Sequence, residues 1–277
     1  MARLGSPWPD DVTIELRYRV VDVFSDVPLA GNAVCVVLDP CPEPVMAAIA
    51  REVNLSETTF PTVTGENRYE MRIFTPTTEL PFAGHPSLGT AWVLGPGSWE
   101  QTTDGATVMV EADAVGATMG QPDPVLRDAG PVGTGVVEAL GLPDARGIQV
   151  AEAAGMRHLV VATDAALDRL DPDPIAVAAA SRRAGATTLV AVRRLDDHTL
   201  HARVFAPMAG VAEDPGTGSA AGPAAMVARE TWRTAEDVSI LQGAEIGRPC
   251  RIEVHAVAGG LRVGGSVAAC AEGRFTL

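Results

Sequence analysis

The sequence predicts an α+β protein built from two related halves, and three observations carry that prediction. The segment His85-Pro86-Ser87-Leu88-Gly89-Thr90-Ala91 is echoed 129 residues later by Asp214-Pro215-Gly216-Thr217-Gly218-Ser219-Ala220. Each copy follows an Arg-(Ile/Val)-Phe-x-Pro stretch, Arg72–Pro76 and Arg203–Pro207. Around both copies a helix, a Thr-Thr strand and a Pro-led stretch of small residues recur in the same order, the signature of an internal duplication.

Taken in order, Arg17 to Phe24 is β-branched and aromatic and reads as a strand. Ala33 to Leu38 is a short apolar run bounded by Gly31-Asn32 and Asp39-Pro40, a second strand. Pro44 to Val53 has helical composition with Pro at the first position. Thr58 to Val63 and Tyr69 to Phe74 read as strands, and Pro86 to Leu94 as a helix of residues small enough to sit buried among them. The second round has a strand at His158 to Ala162, an Ala-rich helix at Pro174 to Arg183 and strands at Thr187 to Val192 and Leu200 to Phe205. A small-residue helix follows at Pro215 to Arg229, then closing strands near Ile252–Ala256 and Leu261–Val263. Gln121-Pro122-Asp123-Pro124, continued by Gly130 to Gly135, reads as a linker. The halves are therefore placed at 1–125 and 126–277, with residues 1–14 expected to be a flexible extension.

The totals exclude several classes. A hydrophobic content of 47% is enough for a sizeable core, and no apolar run approaches the ~18 residues of a membrane helix. The N-terminus lacks the apolar region of a signal peptide, so a cytoplasmic protein is expected. A net charge of −14 with scattered Arg argues against nucleic acid or an anionic membrane as partner. All 21 basic residues are Arg, which removes Schiff-base lysine chemistry and the Walker A loop. Cys35, Cys41, Cys250 and Cys270 form no Cys-x-x-Cys pair, and His198-x-x-His201 lies beside a turn, so no metal site is expected. There is no Gly-x-Ser-x-Gly elbow.

The chemistry is expected at the duplicated motif. Pro at the first helical position makes His85 and Asp214 the capping residues. Asp214 is a good cap and His85 a poor one, so His85 calls for another role. Backbone N–H groups around Leu88–Thr90 and Thr217–Ser219 would carry the positive ends of two helix dipoles, suited to a small carboxylate. Gly216 and Gly218 would let a ligand approach the backbone. Glu57, in Asn54-Leu55-Ser56-Glu57-Thr58, breaks the duplication, because the position 129 residues on is Ala186. An acid present in only one half fits a single base in an asymmetric site. Asp22, Glu79 and Glu213 read as salt-bridge or loop residues.

Asn54–Thr58, Phe82-Ala83-Gly84-His85-Pro86 and Glu213–Gly222, together with Val20–Asn32, resemble the phenazine-biosynthesis isomerase family (PhzF-like) from about Arg17 to the end of the chain. The resemblance implies a diaminopimelate-epimerase-like fold: two pseudo-symmetric halves, each a barrel-like sheet around a central helix, with the active site between them. It implies no cofactor, a small carboxylate-bearing substrate, and Glu57, His85 and Asp214 as catalytic residues. It also implies Asn32, Gly84, Ser87, Gly218 and Ser219 as substrate-binding residues. Related racemases use two cysteines at positions that fall here on Pro86 and Pro215. The expected activity is thus a proton and double-bond shift in a small unsaturated carboxylic or amino acid of secondary metabolism. An epimerase pairing Glu57 with His85 or Asp214, and a catalytically silent carboxylate-binding protein, are the alternatives. A homodimer is the expected assembly, being the commonest symmetric one.

Overall fold

The computed structural model describes residues 15–153 and 155–277; the extension expected over 1–14 lies outside the described residues. The first half runs β1 (Glu15–Val23), β2 (Asn32–Val37), α1 (Glu43–Val53), β3 (Glu57–Gly65), β4 (Arg68–Phe74), β5 (Glu79–Leu80), α2 (Gly84–Leu94), β6 (Gly97–Thr102), β7 (Thr107–Ala112) and β8 (Gly116–Gln121). There follow β9 (Val125–Asp128), α3 (Pro131–Leu140), β10 (Ala145–Ala153), β11 (Met156–Thr163), α4 (Pro174–Ala184), β12 (Thr188–Arg194), β13 (Thr199–Ala206), β14 (Val211–Asp214), α5 (Gly218–Trp232), β15 (Val238–Gln242), β16 (Cys250–Val257) and β17 (Gly260–Thr276).

The duplication is visible in the pairing. In each half a helix crosses over between parallel neighbours, β2–α1–β3 and β11–α4–β12, and an antiparallel hairpin follows, β3–β4 and β12–β13. A second crossover then carries the small-residue helix, β4 to β6 through α2 and β13 to β15 through α5. Strands β1-β2-β3-β4-β6-β7-β8-β17 close into an eight-stranded barrel. Strands β9-β10-β11-β12-β13-β15-β16-β17 form the second curved sheet. The two sheets interlock: β17 pairs with β16 and β8 through its first residues and with β1 through the rest, while β9 pairs with β10. The 125/126 division falls inside β9, and the chain passes between sheets at 122–124.

Each small-residue helix is the filling of its sheet. A helix enclosed by strands must be apolar or small all round rather than on one face. Gly84 through Ala91 of α2 are all buried, and a Cβ on Gly89 would lie 2.6 Å from Val34 Cγ1 and 3.0 Å from Val23 Cγ2. Gly218 through Ala225 of α5 are likewise buried. Pro223 within α5 cannot donate to the Ser219 carbonyl one turn back; Gln121 Nε2 from the first half donates to that oxygen instead, at 3.1 Å. One apolar core joins Val21, Val34 and Leu88 to Val190, Ala224 and Val263. The amphipathic α1 covers the barrel outside, and α3 and α4 cover the second sheet.

Two local expectations are corrected. The Gly130 to Gly135 stretch is not linker throughout but mostly the start of α3. Its glycines permit close packing, since a Cβ on Gly133 would lie 2.8 Å from Ile148 Cγ2. The two small-residue helices are also not Pro-led. Ala83 caps α2, with His85 its second residue and Pro86 its third, and Thr217 occupies the cap position of α5. Pro86 is tolerated there because first-turn N–H groups have no intrahelical partner.

Candidate active site

The side chains expected to be catalytic are delivered by local structure legible in the sequence. Asn54 ends α1 in the left-handed conformation, φ 52°, which asparagine adopts more readily than most residues, and turns the chain so that Glu57 opens β3. The duplicated Arg-x-Phe motif braces the approach to each central helix. Arg72 makes a two-pronged pair with Glu79 (2.6 and 2.7 Å), and Arg203 makes the same pair with Glu213 (2.8 and 2.7 Å). Each guanidinium also lies over a ring, Phe74 or Phe205. The second clamp is the stronger, being buried and capped by the Leu167 and Leu170 carbonyls. The fully buried Asp22 takes Arg248 Nη2 at 2.5 Å, while Arg248 also donates to the Leu29 and Gly31 carbonyls and so fixes the loop before Asn32. The roles expected of Asp22, Glu79 and Glu213 are therefore structural.

Between the halves lies a cavity of about 350 Å³. Glu57, Gly84 and His85 enter it from the first half, and Asp214, Gly218 and Ser219 from the second. The two helix starts face each other: a Cβ on Gly84 would lie 3.7 Å from Ser219 N and 4.0 Å from Gly218 Cα. Neither helix start has a side-chain cap, so its N–H groups are available to an anion.

The polar groups form one network. Asn32 Nδ2 donates to Asp214 Oδ1 and to the Gly216 carbonyl, both at 2.9 Å, and lies 3.2 Å from His85 Nδ1. Thr217 Oγ1 donates to Asp214 Oδ2 at 2.5 Å. His85 Nε2 and Glu57 Oε2 are 3.2 Å apart, yet neither atom completes a hydrogen bond. Burial, helped by the charge of Asp214, pushes the Glu57 carboxyl up to about 8. Burial pushes His85 down to about 3, against a hydrogen bond to the Ala33 backbone. Asp214 is raised by burial too, but hydrogen bonds from Thr217, Asn32 and the Gly216 backbone oppose the shift. Two carboxyls in one dry site do not both ionise readily. The one with three hydrogen bonds, Asp214, keeps the negative charge, and Glu57 holds the proton near neutral pH.

Not every expected site residue reaches the cavity. Asn32 is completely buried behind it and acts by orienting Asp214 and His85. Ser87 is also completely buried; its hydroxyl donates to the Ala83 carbonyl and accepts from Gln101 Nε2, both at 2.8 Å. It does not line the cavity, because on α2 it falls on the side facing the Gln101–Tyr69 pair of the barrel interior. Gly216 packs against Phe24 and Cys250 rather than a ligand. Asp214 is not a helix cap, since it ends β14 ahead of α5. Conversely, Thr187, Thr188, Met156, Leu80 and Phe82 line the cavity and were not singled out in the sequence. The Thr-Thr pair carried a signal, its 129-residue spacing from Thr58-Thr59. His198 and His201 lie elsewhere, His201 paired with Glu245 at 2.8 Å. Among the described residues no three His, Cys, Asp or Glu side chains group to hold a metal ion, and no helix is long and apolar enough to cross a membrane.

A carboxyl and an imidazole with displaced proton affinities, facing each other below two open helix starts, are the kind of group found in acid–base enzyme sites. The family model described as "Phenazine biosynthesis-like protein" (PhzC-PhzF) matches residues 21–273, and the chain belongs to that family. It is 38% identical to the trans-2,3-dihydro-3-hydroxyanthranilate isomerase of Pseudomonas aeruginosa, over 94% of this chain and 99% of that one. Among solved structures it is similar to a predicted epimerase from Pseudomonas aeruginosa (30% identity, TM-score 0.77, 94% and 99% covered). It shares its fold with a PhzF-family protein from Bacillus anthracis (22% identity, TM-score 0.81, 95% and 100% covered). The protein is an isomerase of this family.

Proposed function

We propose that this isomerase works without a cofactor. It moves a proton, and with it a double bond, within a small unsaturated carboxylic or amino acid of secondary metabolism. The relatives' substrate, trans-2,3-dihydro-3-hydroxyanthranilate, is the first candidate, which would put the chain in phenazine-type biosynthesis. The observation that carries the reading is the one-sidedness of the site: Glu57, pushed up to about 8, faces a neutral His85, Ala186 takes the place of Glu57 in the other half, and the Asp214 carboxyl across the cavity is held by hydrogen bonds from Asn32, Thr217 and the Gly216 backbone.

In this mechanism the substrate carboxylate sits on the N–H groups at Gly84, Gly218 and Ser219. Ionised Glu57 breaks a C–H bond and takes the proton, and the electron pair spreads through the adjoining double bonds. Glu57 then returns the proton to a second carbon on the same face, so no proton is gained or lost overall. A pKa of about 8 makes Glu57 a much better proton acceptor than an exposed glutamate while leaving a usable ionised fraction at neutral pH. His85 polarises the reacting region, and Asp214, held by Asn32, keeps the local negative charge.

The test is incubation with trans-2,3-dihydro-3-hydroxyanthranilate in heavy water, followed by NMR. A moved double bond supports the reading, with deuterium at the second carbon to the extent that the proton on Glu57 exchanges with solvent before it is returned. Exchange at the α-carbon alone, with loss of optical activity, would point to an epimerase instead. Glu57→Gln is expected to lower turnover by roughly 10²–10⁴-fold, the usual contribution of a general base; full turnover by that variant removes Glu57 from the mechanism.

A further inference from the structure

Part of the cavity wall has no role in the proton transfer, and there the two halves differ in a way the fold does not require. In the first half Thr59 is in register with Val36, and its hydroxyl is bonded to that of Thr90 at 2.8 Å. Both hydroxyls are fully buried and satisfied. The positions 129 residues on are Thr188 and Ser219, and both line the cavity. The register partner of Thr188 is His158, so a histidine occupies the place that valine fills in the first half. His158 is completely buried, its Nδ1 lies 2.7 Å from Thr188 Oγ1, and its Nε2 has no partner among the described residues. A valine would satisfy this core position, whereas a buried ring nitrogen without a partner is destabilising.

We propose that His158 is a positioning residue that fixes the Thr188 hydroxyl. Thr188 then donates a hydrogen bond to a carboxylate, carbonyl or hydroxyl oxygen of the substrate, from the wall opposite in origin to that of Glu57. Burial lowers the imidazole to about 4 and keeps it neutral. Orphaned buried N–H groups are rarer than orphaned acceptors, which favours the tautomer with the hydrogen on Nδ1. Nδ1–H then donates to Thr188 Oγ1, and with no other acceptor for the threonine hydrogen among the described residues, the hydroxyl is free to donate into the cavity that Thr188 lines. The pseudo-symmetric pair explains the device: the first half uses the two hydroxyls on each other, and the second turns both toward the ligand. This inference rests on reading the cavity as the substrate site.

The probe is 3-hydroxyanthranilate, the flat aromatic counterpart of the relatives' substrate. It is titrated calorimetrically into wild type, Thr188→Val, Thr188→Ser, His158→Val and the double Val variant, alongside turnover of the dihydro compound. Thr188→Val is expected to weaken binding and raise KM about tenfold, the scale of one hydrogen bond to a charged or polar group, with kcat nearly unchanged. Thr188→Ser restores both. His158→Val reproduces the Thr188→Val defect while melting no lower than wild type, and the double variant is no worse than Thr188→Val. Wild-type affinity and KM in His158→Val, or additive losses in the double variant, overturn the positioning role. Wild-type values in Thr188→Val overturn the subsite, and do so even should His158→Val not fold. Binding with the expected dependence but no turnover of the dihydro compound refutes only the proposed function. Turnover with unaffected variants refutes only this inference, and no binding of the probe by wild type refutes both.

Discussion

Glu57 makes the protein less stable as it ionises, and the size of that cost follows from the site. Its carboxyl titrates near 8 in the folded protein against 4.5 for an unperturbed glutamate. Below pH 4.5 both states hold the proton and stability does not depend on it. Between 4.5 and 8 the folded protein keeps a proton that the unfolded chain releases, so stability falls as pH rises, by about 1.4 kcal/mol per unit. From pH 5 to pH 8 the loss integrates to roughly 3.5 kcal/mol. His85 acts in the opposite sense: titrating near 3 instead of 6.5, it lowers stability only as pH falls below 6.5. The two contributions cancel between 4.5 and 6.5, and above that Glu57 acts alone. Glu57→Gln cannot ionise and escapes the loss. At about 2 °C per kcal/mol for a chain of this size, its melting temperature should gain roughly 7 °C on wild type between pH 5 and pH 8. Thermal unfolding of both proteins across that range is the assay. Parallel pH curves for the two would refute the claim that a dry, unpaired carboxyl sits at Glu57.

Other consequences are as specific. If ionised Glu57 is the base, kcat/KM should rise about tenfold from pH 6 to pH 7 and level off above 8; a rate falling over that range would make Glu57 the initial acid. The two Arg clamps should differ in weight. Arg203→Ala strands the buried Glu213 and should cost about 3–5 kcal/mol in urea unfolding, whereas Arg72→Ala, at a pair about one-third exposed, should cost about 1 kcal/mol or less. Gly89→Ala should cost about 1–3 kcal/mol by overpacking α2 against Val34 and Val23, read as a lower urea midpoint at constant slope.

What the sequence revealed and what it hid follow from which forces act locally. Strands such as Tyr69–Phe74 and helices such as Pro174–Ala184 are set by the alternation of Tyr69, Met71 and Ile73 with charged residues, by an Asp173 cap and by a Gly185 stop, all within a few residues. The duplication exposed Glu57, because a symmetric fold needs no acid where its other half has alanine. Pro86 and Pro215 misled as helix starts. Proline is acceptable anywhere in a first turn, and the chain at Asp214–Thr217 is shaped by contacts with Asn32 and Gln242 that are distant in sequence. Ser87, which the resemblance implied as substrate-binding, lies two positions from His85 and so on another side of α2, against Gln101. Helix α3 was hidden by glycines that serve packing against Ile148, and Thr188 by a strand pattern that is the same whether one end meets core or cavity.

The pairs that differ between halves divide the labour of the site. Where the halves match, at Arg72/Arg203, Phe74/Phe205 and the paired crossovers, they brace the two helix starts that face one another. Where they differ, each half gains one capacity the other lacks. Glu57 over Ala186 and His85 over Asp214 put the mobile proton on the barrel side and the fixed negative charge on the other. His158 over Val36, and Thr188 and Ser219 over the self-paired Thr59 and Thr90, put free hydroxyls only on the second side. A symmetric two-base racemase would need matched acids on both walls. In the mechanism we propose, unmatched walls instead hold a substrate by one face and work on it from the other, so a proton leaves and returns on the Glu57 side alone.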